Sequence, residues 1–132
     1  MSETQATMNV RVRYVECDPM GVAHHSTYPV WFEMGRTELL RATGVEYVAL
    51  EAAGIFLAVV TLDVRYRKPA RYDDLLQLET QLVECGRVKI EHRYVLRRGE
   101  EVLATARTVL ACLGRDGRPV EVPAMVRHAA GA

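Results

Sequence analysis

Residues 14–28 of this 132-residue chain read YVECDPMGVAHHSTY. This stretch joins a strand-like segment to a helix-like segment, and Pro19 and Gly21 predict that the backbone turns directly after Asp18. His25 then leads into the start of the predicted helix, where unpaired backbone N–H groups favour negative charge. A carboxylate beside such a helix end suits acyl chemistry, because the carboxylate can act as a base or as a nucleophile.

The patterns on either side of this stretch predict one strand and one long helix. Residues 8–16 alternate between apolar and polar side chains, which predicts a half-buried strand with Tyr14 on its core-facing side. From residue 28 to residue 42, apolar side chains recur at helical spacing, and Gly35 lies on the same stripe. A glycine inside a helix costs roughly 1 kcal/mol relative to alanine, so we expect a neighbouring backbone to approach closely at Gly35.

The second half of the chain predicts a large antiparallel sheet. A short helix is predicted at residues 45–53, followed by four strands at residues 55–66, 76–82, 88–96 and 102–113. Strands joined by tight turns are antiparallel, so one long helix against one such sheet indicates an α+β fold. The uncovered face or edge of the sheet is expected to pair with a second copy. We predict a single domain over residues 1–132, with loose tails at residues 1–7 and 124–132.

Composition and charge argue against several kinds of partner. The 17 basic and 17 acidic side chains give a formal net charge of zero, which argues against bulk binding to nucleic acid or to a membrane surface. No apolar run approaches the roughly 20 residues of a membrane span, and residues 1–7 lack the apolar segment of a signal peptide. Three cysteines without CxxC spacing indicate reduced thiols, so we expect a cytoplasmic protein.

The adjacent residues His24 and His25 raise the question of a metal site. In extended chain, adjacent side chains point to opposite sides, and no Cys, Asp or His completes a ligand set at a suitable spacing. We therefore expect no metal at this pair.

One sequence signature extends across the turn and the long helix. It reads Tyr14-x-Glu16-x-Asp18-x-x-Gly21-x-x-x-His25-x-x-Tyr28, followed by Trp31-Phe32-Glu33-x-Gly35-Arg36. The signature resembles that of the 4-hydroxybenzoyl-CoA thioesterase family, and most closely its acyl-CoA thioesterase branch from the Tol–Pal gene neighbourhood of bacteria. The resemblance implies a hotdog fold, in which a curved antiparallel sheet of about five strands wraps around one long helix. It also implies a homodimer, usually paired further into a homotetramer.

Two positions depart from the family pattern. His24 stands where the family usually has Tyr or Phe, and Thr27 stands where many members have Asn. Both positions affect the shape of the expected pocket, so they weaken the inference of substrate more than the inference of reaction.

The resemblance implies an acyl-CoA thioesterase that hydrolyses acyl-CoA to a free acid and coenzyme A without a cofactor. Asp18 would be the nucleophile or general base, and the alternative is an ordinary turn aspartate. The backbone N–H of His25 would bind the oxyanion, while its imidazole could orient water or act only as a capping group. Gly21 would shape the backbone and let the substrate approach. Tyr14 could bond the carboxylate or line the acyl pocket, and a core tyrosine is an equally good interpretation.

The expected substrate contacts come from two further sets of residues. Five cations could pair with the phosphates of coenzyme A, although a solvated charged surface is the alternative: Arg65, Arg67, Lys68, Arg87 and Lys89. The resemblance implies that Val59, Val60 and Thr61 pair with the pantetheine arm through their backbone, and that each site lies between two subunits.

Two other functions stay open at this point. The chain could be a thioesterase that acts on acyl-carrier protein, whose phosphopantetheine lacks the nucleotide. It could also be a hotdog module that binds acyl-CoA without hydrolysing it, although the presence of Asp18 weighs against that alternative.

Overall fold

The computed structural model describes residues 4–129. The segments with alternating apolar residues form one antiparallel sheet, and the segment with helical spacing forms one long helix. Two short 3₁₀ turns precede the long helix, at Tyr14–Glu16 and His25–Thr27. The helices are α1 (Tyr28–Ala42), α2 (Tyr47–Ala52) and α3 (Ala124–Ala129). The strands are β1 (Gln5–Arg11), β2 (Phe56–Tyr66), β3 (Leu75–Cys85), β4 (Lys89–Arg98), β5 (Glu101–Leu113) and β6 (Pro119–Val120).

The sheet has the strand order β1-β3-β4-β5-β2, and β6 pairs with the end of β5. All pairings are antiparallel, and β3, β4 and β5 follow one another as hairpins. The connection between β2 and β3 carries the chain from one side of the sheet to the other. As a result β2 pairs only with β5 among residues 4–129, and its outer backbone edge is open. The four strands predicted in the second half are present, and β6 is an additional short strand.

Helix α1 packs its apolar stripe onto the sheet. The buried positions follow helical spacing: Tyr28, Trp31, Phe32, Gly35 and Leu39. A Cβ placed on Gly35 would overlap Oγ1 of Thr80 on β3, so the predicted close approach is present. The prediction is wrong in one respect, because the nearest atoms belong to side chains of β3 rather than to its backbone. This contact sets the separation between α1 and the sheet.

Both ends of the chain are more ordered than the predicted loose tails. Residue Gln5 already pairs with Gln81 of β3, so β1 begins inside the segment 1–7. The first residues of this strand are mostly polar, so the alternation of apolar residues does not reveal where the strand begins. At the other end α3 forms because Val126 is buried in an apolar cluster that includes Leu50 and Leu110. Residues 1–3 and 130–132 lie outside the described residues.

The length and apolar character of the helices bear on whether the chain can cross a membrane. Within residues 4–129 no helix has both the length and the apolar character that crossing a bilayer requires.

Candidate active site

The turn after Asp18 is held by a short antiparallel bridge between Cys17 and Ala23. The N–H of Asp18 donates to the carbonyl oxygen of Val22 at 2.9 Å, and the N–H of Gly21 donates to the carbonyl oxygen of Asp18 at 2.9 Å. Gly21 has a φ of +80°, a conformation that glycine adopts without the strain of a Cβ. The predicted turn is therefore present, and the sequence places glycine where the backbone requires it.

The Asp18 side chain is half-buried beside this turn. Its Oδ1 accepts a hydrogen bond from the backbone N–H of Met20 at 2.8 Å. Among residues 4–129 no ion pair reaches the carboxylate and no donor reaches Oδ2. One oxygen of Asp18 thus fixes the side chain, and the other is available to a water molecule or a substrate.

Glu16 belongs to the sequence signature, and the structure shows that it joins the turn to α1, a role that the sequence patterns do not assign. Its buried carboxylate accepts hydrogen bonds from the N–H of Arg13 at 2.7 Å, from Nη2 of Arg13 at 3.1 Å and from Nε1 of Trp31 at 3.0 Å. Its carbonyl oxygen accepts from the N–H of His24 at 2.8 Å and from Oγ1 of Thr27 at 3.3 Å. Burial raises the pKa of the Glu16 carboxyl, but these side-chain and backbone donors outweigh it and hold that pKa below its usual value.

The backbone of His25 begins the 3₁₀ turn that leads into α1. Its N–H has no acceptor among the described residues, as expected for the first position of a helical turn. Its carbonyl oxygen accepts a hydrogen bond from the hydroxyl of Tyr66 at 2.8 Å. The next N–H along the chain, that of Ser26, donates to Nδ1 of His24 at 3.1 Å. The free N–H of His25 is therefore held in place from both sides.

The rings of His24 and His25 do not point in opposite directions, contrary to expectation. Their centroids are 4.1 Å apart and their planes are inclined by 32°. The expectation is wrong because His25 lies in a 3₁₀ turn rather than in extended chain. The described residues nevertheless contain no group of three His, Cys, Asp or Glu side chains placed to hold a metal ion.

Tyr14 does not face the core, so that prediction is wrong. Strand β1 ends at Arg11, and Tyr14 begins a 3₁₀ turn in which the strand alternation no longer applies. Its side chain is 79% exposed, and its ring and that of Tyr72 form a T-shaped pair with centroids 5.6 Å apart. Within the described part of the chain its hydroxyl forms no hydrogen bond to Asp18.

The five predicted phosphate-binding cations form two groups at opposite ends of the sheet. The first group is Arg65, Arg67 and Lys68, and the second group is Arg87 and Lys89. Arg65 pairs with Thr105 of β5, whereas Lys89 pairs with Ala111 of the same strand. Six residues of strand, about 20 Å, separate these levels. One chain therefore does not bring the two groups together.

Most of these cations already contact carboxylates on the surface. Three exposed ion pairs are present: Arg65 with Asp63 at 3.7 Å, Lys68 with Glu101 at 2.8 Å, and Arg87 with Glu121 at 3.0 Å. Arg67 and Lys89 have no ion pair among the described residues. Exposed ion pairs are weak and exchange readily, so these cations can change partner when a phosphate arrives. Arg67 and Lys68 also line a shallow pocket together with His25 and Tyr66, whereas Asp18 does not line it.

Strand β2 exposes apolar side chains along its open edge. Val59 is 48% exposed, Val60 is 54% exposed and Leu62 is 46% exposed. The register with β5 shifts between Val59 and Thr61, so Val60 lies in a β-bulge. An open strand edge with exposed apolar side chains is an unusual surface for an isolated chain and is typical of an interface.

A cavity of about 370 Å³ lies between α1, α2 and the sheet, and the sequence patterns do not predict it. Its walls are largely apolar and include Leu39, Leu40, Leu57, Leu82, Ile90 and Leu110. The polar side chains of Glu33, Arg36 and His92 also line it, as does Val59, whereas Asp18 does not. The only sequence signal for it is the position of His92 on the core-facing side of β4.

His92 is a buried histidine without a hydrogen-bond partner. It is 8% exposed, its Nδ1 is fully buried, and neither ring nitrogen meets a donor or acceptor among the described residues. Burial, with a further contribution from the positive charge of Arg36, lowers the pKa of His92 to about 3, so its imidazole is neutral. Arg36 itself donates to the hydroxyl of Tyr94 at 3.2 Å, and that hydroxyl pairs with Oγ1 of Thr108 at 2.6 Å. Leaving a buried polar group unpaired costs about 1–3 kcal/mol, so His92 marks a place where a ligand can add an interaction.

Comparisons with known proteins give a consistent result. The model of the thioesterase-like superfamily matches residues 12–130. The chain is 36% identical over 123 residues to the acyl-CoA thioesterase YbgC of Haemophilus influenzae, which covers 91% of this chain and 90% of that protein. The structure is similar to that of a hypothetical protein from Thermus thermophilus, with a TM-score of 0.90, 34% identity and coverage of 95% and 96% of the two chains. It is also similar to a DHNA-CoA thioesterase from Staphylococcus aureus, with a TM-score of 0.86, 28% identity and coverage of 89% and 80%.

These matches confirm the predicted hotdog fold, with six strands in the sheet where about five were expected. The family model covers the turn around Asp18, the long helix and all of the strands after it. The chain therefore belongs to the thioesterase-like superfamily, and it is a thioesterase.

Proposed function

We propose that this enzyme hydrolyses acyl-CoA thioesters to a carboxylic acid and coenzyme A, with Asp18 as its catalytic carboxylate and without a metal or organic cofactor. The observation that carries this proposal is that one fixed segment contains two polar groups without a hydrogen-bond partner. Oδ2 of Asp18 has no donor and the N–H of His25 has no acceptor among the described residues. The relative from Haemophilus influenzae, which is named an acyl-CoA thioesterase, supports the choice of thioester.

The roles follow from the chemistry of thioester hydrolysis. The carbonyl oxygen gains negative charge when the carbonyl carbon is attacked, and the N–H of His25 is the donor that would stabilise it. Removing one such donor typically costs about 3 kcal/mol of transition-state stabilisation. Gly21 would keep the turn open to the substrate. The positive φ at this position disfavours other residues. The space beside Gly21 is empty, since a Cβ there would meet no atom within 4 Å.

Two reaction paths are open to Asp18, and each accounts for every bond formed and broken. As a general base, it would take a proton from water while the oxygen of that water bonds to the carbonyl carbon; the C–S bond then breaks and the proton passes to the leaving thiolate. As a nucleophile, its free oxygen would bond to the carbonyl carbon and expel the thiolate, leaving a mixed anhydride that water hydrolyses.

We propose that the active unit is at least a homodimer formed through the open edge of β2, with a homotetramer as the expected larger assembly. β2 has 11 residues, so two copies related by a two-fold axis can pair antiparallel over about 36 Å. In such a pair the end of β2 at Phe56 lies beside the end at Tyr66 of the partner subunit. The two groups of cations would then approach each other across the interface.

The proposed substrate contacts depend on this pairing. The backbone of residues 59–61 would bind the pantetheine arm at the β2 edge, and both groups of cations would bind the phosphates. Arg67 and Lys89 are the strongest candidates, because neither has an ion pair among the described residues. Tyr14 would contribute to a site only through contacts with substrate or with the partner subunit, because it is exposed in the single chain.

The motif over residues 14–36 supports placing the chain in the 4-hydroxybenzoyl-CoA thioesterase family, and we propose its Tol–Pal-associated branch.

The nucleotide distinguishes coenzyme A from acyl-carrier protein as the carrier of the acyl group. Thiol release should be measured with acyl-CoA, acyl-dephospho-CoA and acyl-pantetheine that carry the same acyl group. We expect the specificity constant to fall as the phosphates are removed, and equal values for all three would favour the carrier protein. Binding without any thiol release would instead favour a non-catalytic module.

A further inference from the structure

The cavity between α1, α2 and the sheet has the size of an acyl group. A volume of about 370 Å³ falls within the roughly 300–1,000 Å³ that is usual for small-molecule sites. A straight acyl group of eight carbons fits this volume, and so does one aromatic ring on a short linker. The apolar walls, formed by side chains such as Leu39, Ile90 and Leu110, suit the hydrocarbon part of such a group.

The cavity opens beside the strand edge where the thioester is proposed to bind. Val59, Glu33 and Glu51 line it and are exposed, so its mouth lies between α1, α2 and β2. The other end of β2 contacts the catalytic segment, because the hydroxyl of Tyr66 donates to the carbonyl oxygen of His25. In the proposed two-fold dimer, the cavity of one subunit therefore faces the catalytic segment of the partner subunit.

One polar group on the cavity wall lacks a partner. His92 is 8% exposed, and its ring has no hydrogen bond among the described residues. A neutral imidazole donates from one nitrogen and accepts at the other, so it matches a hydroxyl, which can do both. The charged groups around the cavity do not single out an anion, because Glu33 and Glu51 lie at the mouth while Arg36 lines the wall.

We propose that this cavity binds the acyl group of the substrate and that His92 selects acyl groups with a hydroxyl at the end remote from the thioester. The proposal rests on the proposed acyl-CoA thioesterase function and adds the substrate class and a specificity residue. Arg36 would assist, because it lines the same cavity and its guanidinium already holds the hydroxyl of Tyr94. A hydroxyl at the His92 end of the cavity would provide the partner that an unsubstituted acyl tail cannot provide.

The test compares matched substrates in matched variants. The substrates are octanoyl-CoA with 8-hydroxyoctanoyl-CoA, and phenylacetyl-CoA with 4-hydroxyphenylacetyl-CoA. For the natural enzyme we expect kcat/KM to favour the hydroxylated member of at least one pair by about tenfold or more. His92→Leu should bring this ratio to about one, and His92→Gln, which keeps a donor and an acceptor, should retain part of it. An unchanged ratio in His92→Leu would overturn the role of His92, as would a preference for the unsubstituted member in the natural enzyme.

A second variant tests the cavity itself, independently of His92. Thr37 lines the cavity from α1 and is only half-buried, so Thr37→Phe adds volume inside it. We expect the ratio of kcat/KM for octanoyl-CoA to that for acetyl-CoA to fall about tenfold or more, because the long acyl group no longer fits. A constant ratio in folded Thr37→Phe would overturn the assignment of the cavity.

Failure of the cavity assignment can be separated from failure of the catalytic proposal by measuring binding alone. Calorimetry with free octanoic acid and 8-hydroxyoctanoic acid needs no turnover. If the natural enzyme releases no thiol from any acyl-CoA, the proposed function fails. Tighter binding of the hydroxy acid, lost in His92→Leu, would still support the cavity site, and equal binding of both acids would overturn it.

Discussion

The indole Nε1–H of Trp31 donates a hydrogen bond to Oε2 of Glu16 at 3.0 Å, and this bond joins the segment that leads to Asp18 to the first turn of α1. Trp31 is 1% exposed and Glu16 is 7% exposed, so the contact is shielded from water. Glu16 lies two residues before Asp18, and its carbonyl oxygen accepts from the N–H of His24, next to His25. The buried carboxylate of Glu16 and its backbone carbonyl oxygen thus fix the two ends of the proposed catalytic segment.

We predict that Glu16→Gln lowers stability in a pH-dependent manner. The folded-state pKa of Glu16 lies below its usual value, so its contribution is present above the unfolded pKa and is lost as pH falls through the folded pKa. At neutral pH the variant should lose about 1–3 kcal/mol of unfolding free energy, and the difference should shrink below about pH 4. Urea unfolding across this pH range measures it, with Glu100→Gln in an exposed turn as the control. A difference that stays constant across the range would contradict the account.

Gly35→Ala should destabilise the fold through one specific overlap. A Cβ there would overlap Oγ1 of Thr80 and lie 2.9 Å from Cδ2 of Leu78, which predicts a loss of about 1–3 kcal/mol. The hydroxyl of Thr80 is buried without a partner in the described residues, so Thr80→Ala should be milder. In a double-mutant cycle by urea unfolding, the two changes together should cost less than the sum of the single changes. Strict additivity would show that this contact does not set the spacing.

Tyr66→Phe should lower activity more than it lowers stability. The change removes the hydroxyl that donates to the carbonyl oxygen of His25, and with it one restraint on the N–H that is proposed to bind the oxyanion. We expect kcat to fall roughly fivefold, the effect of one hydrogen bond of about 1 kcal/mol. Tyr72→Phe is the matched control, because the hydroxyl of Tyr72 has no hydrogen bond among the described residues. Equal kcat values for the two variants would argue against the restraint.

Leu62→Lys should prevent assembly through β2. Leu62 is 46% exposed on the open strand edge, where a charge would oppose pairing with a second copy. Sedimentation velocity should show a shift towards monomer, with loss of thioester hydrolysis because each proposed site combines two subunits. Val83→Lys is the control, since Val83 is 44% exposed on β3, away from that edge. A Leu62→Lys protein that assembles normally would place the interface elsewhere.

The fold was largely predictable because its segments are periodic. The alternation of β3 and β4 and the helical spacing of α1 each reflect one buried face, and such a face leaves a pattern in the sequence. Tyr14 was misplaced because β1 ends three residues earlier, and nothing in the alternation marks that end. Helix α3 was missed because it owes its order mainly to the burial of Val126 among distant residues.

The site was predictable only in part, for a related physical reason. Proline fixes φ at Pro19 and glycine tolerates the positive φ at Gly21, so the turn at Asp18 follows from local sequence. The role of Glu16 depends on Trp31, which is 15 residues away, and the cavity depends on elements from both halves of the chain. Contacts of this kind arise from packing, and no local pattern encodes them.

The central claim is that Asp18 performs the chemistry and contributes little to the fold. In Asp18→Asn the side-chain oxygen can still accept from the N–H of Met20, so the turn should persist and the melting temperature should stay close to that of the natural enzyme. Asp116→Asn is the matched control, because Oδ1 of Asp116 accepts from a backbone N–H two residues on in the same way.

The most direct measurement is thiol release from acyl-CoA by folded Asp18→Asn, with Asp116→Asn in parallel. The account predicts that kcat falls about a hundredfold to ten-thousandfold for Asp18→Asn and is unchanged for Asp116→Asn. Turnover by Asp18→Asn at the rate of the natural enzyme would contradict it.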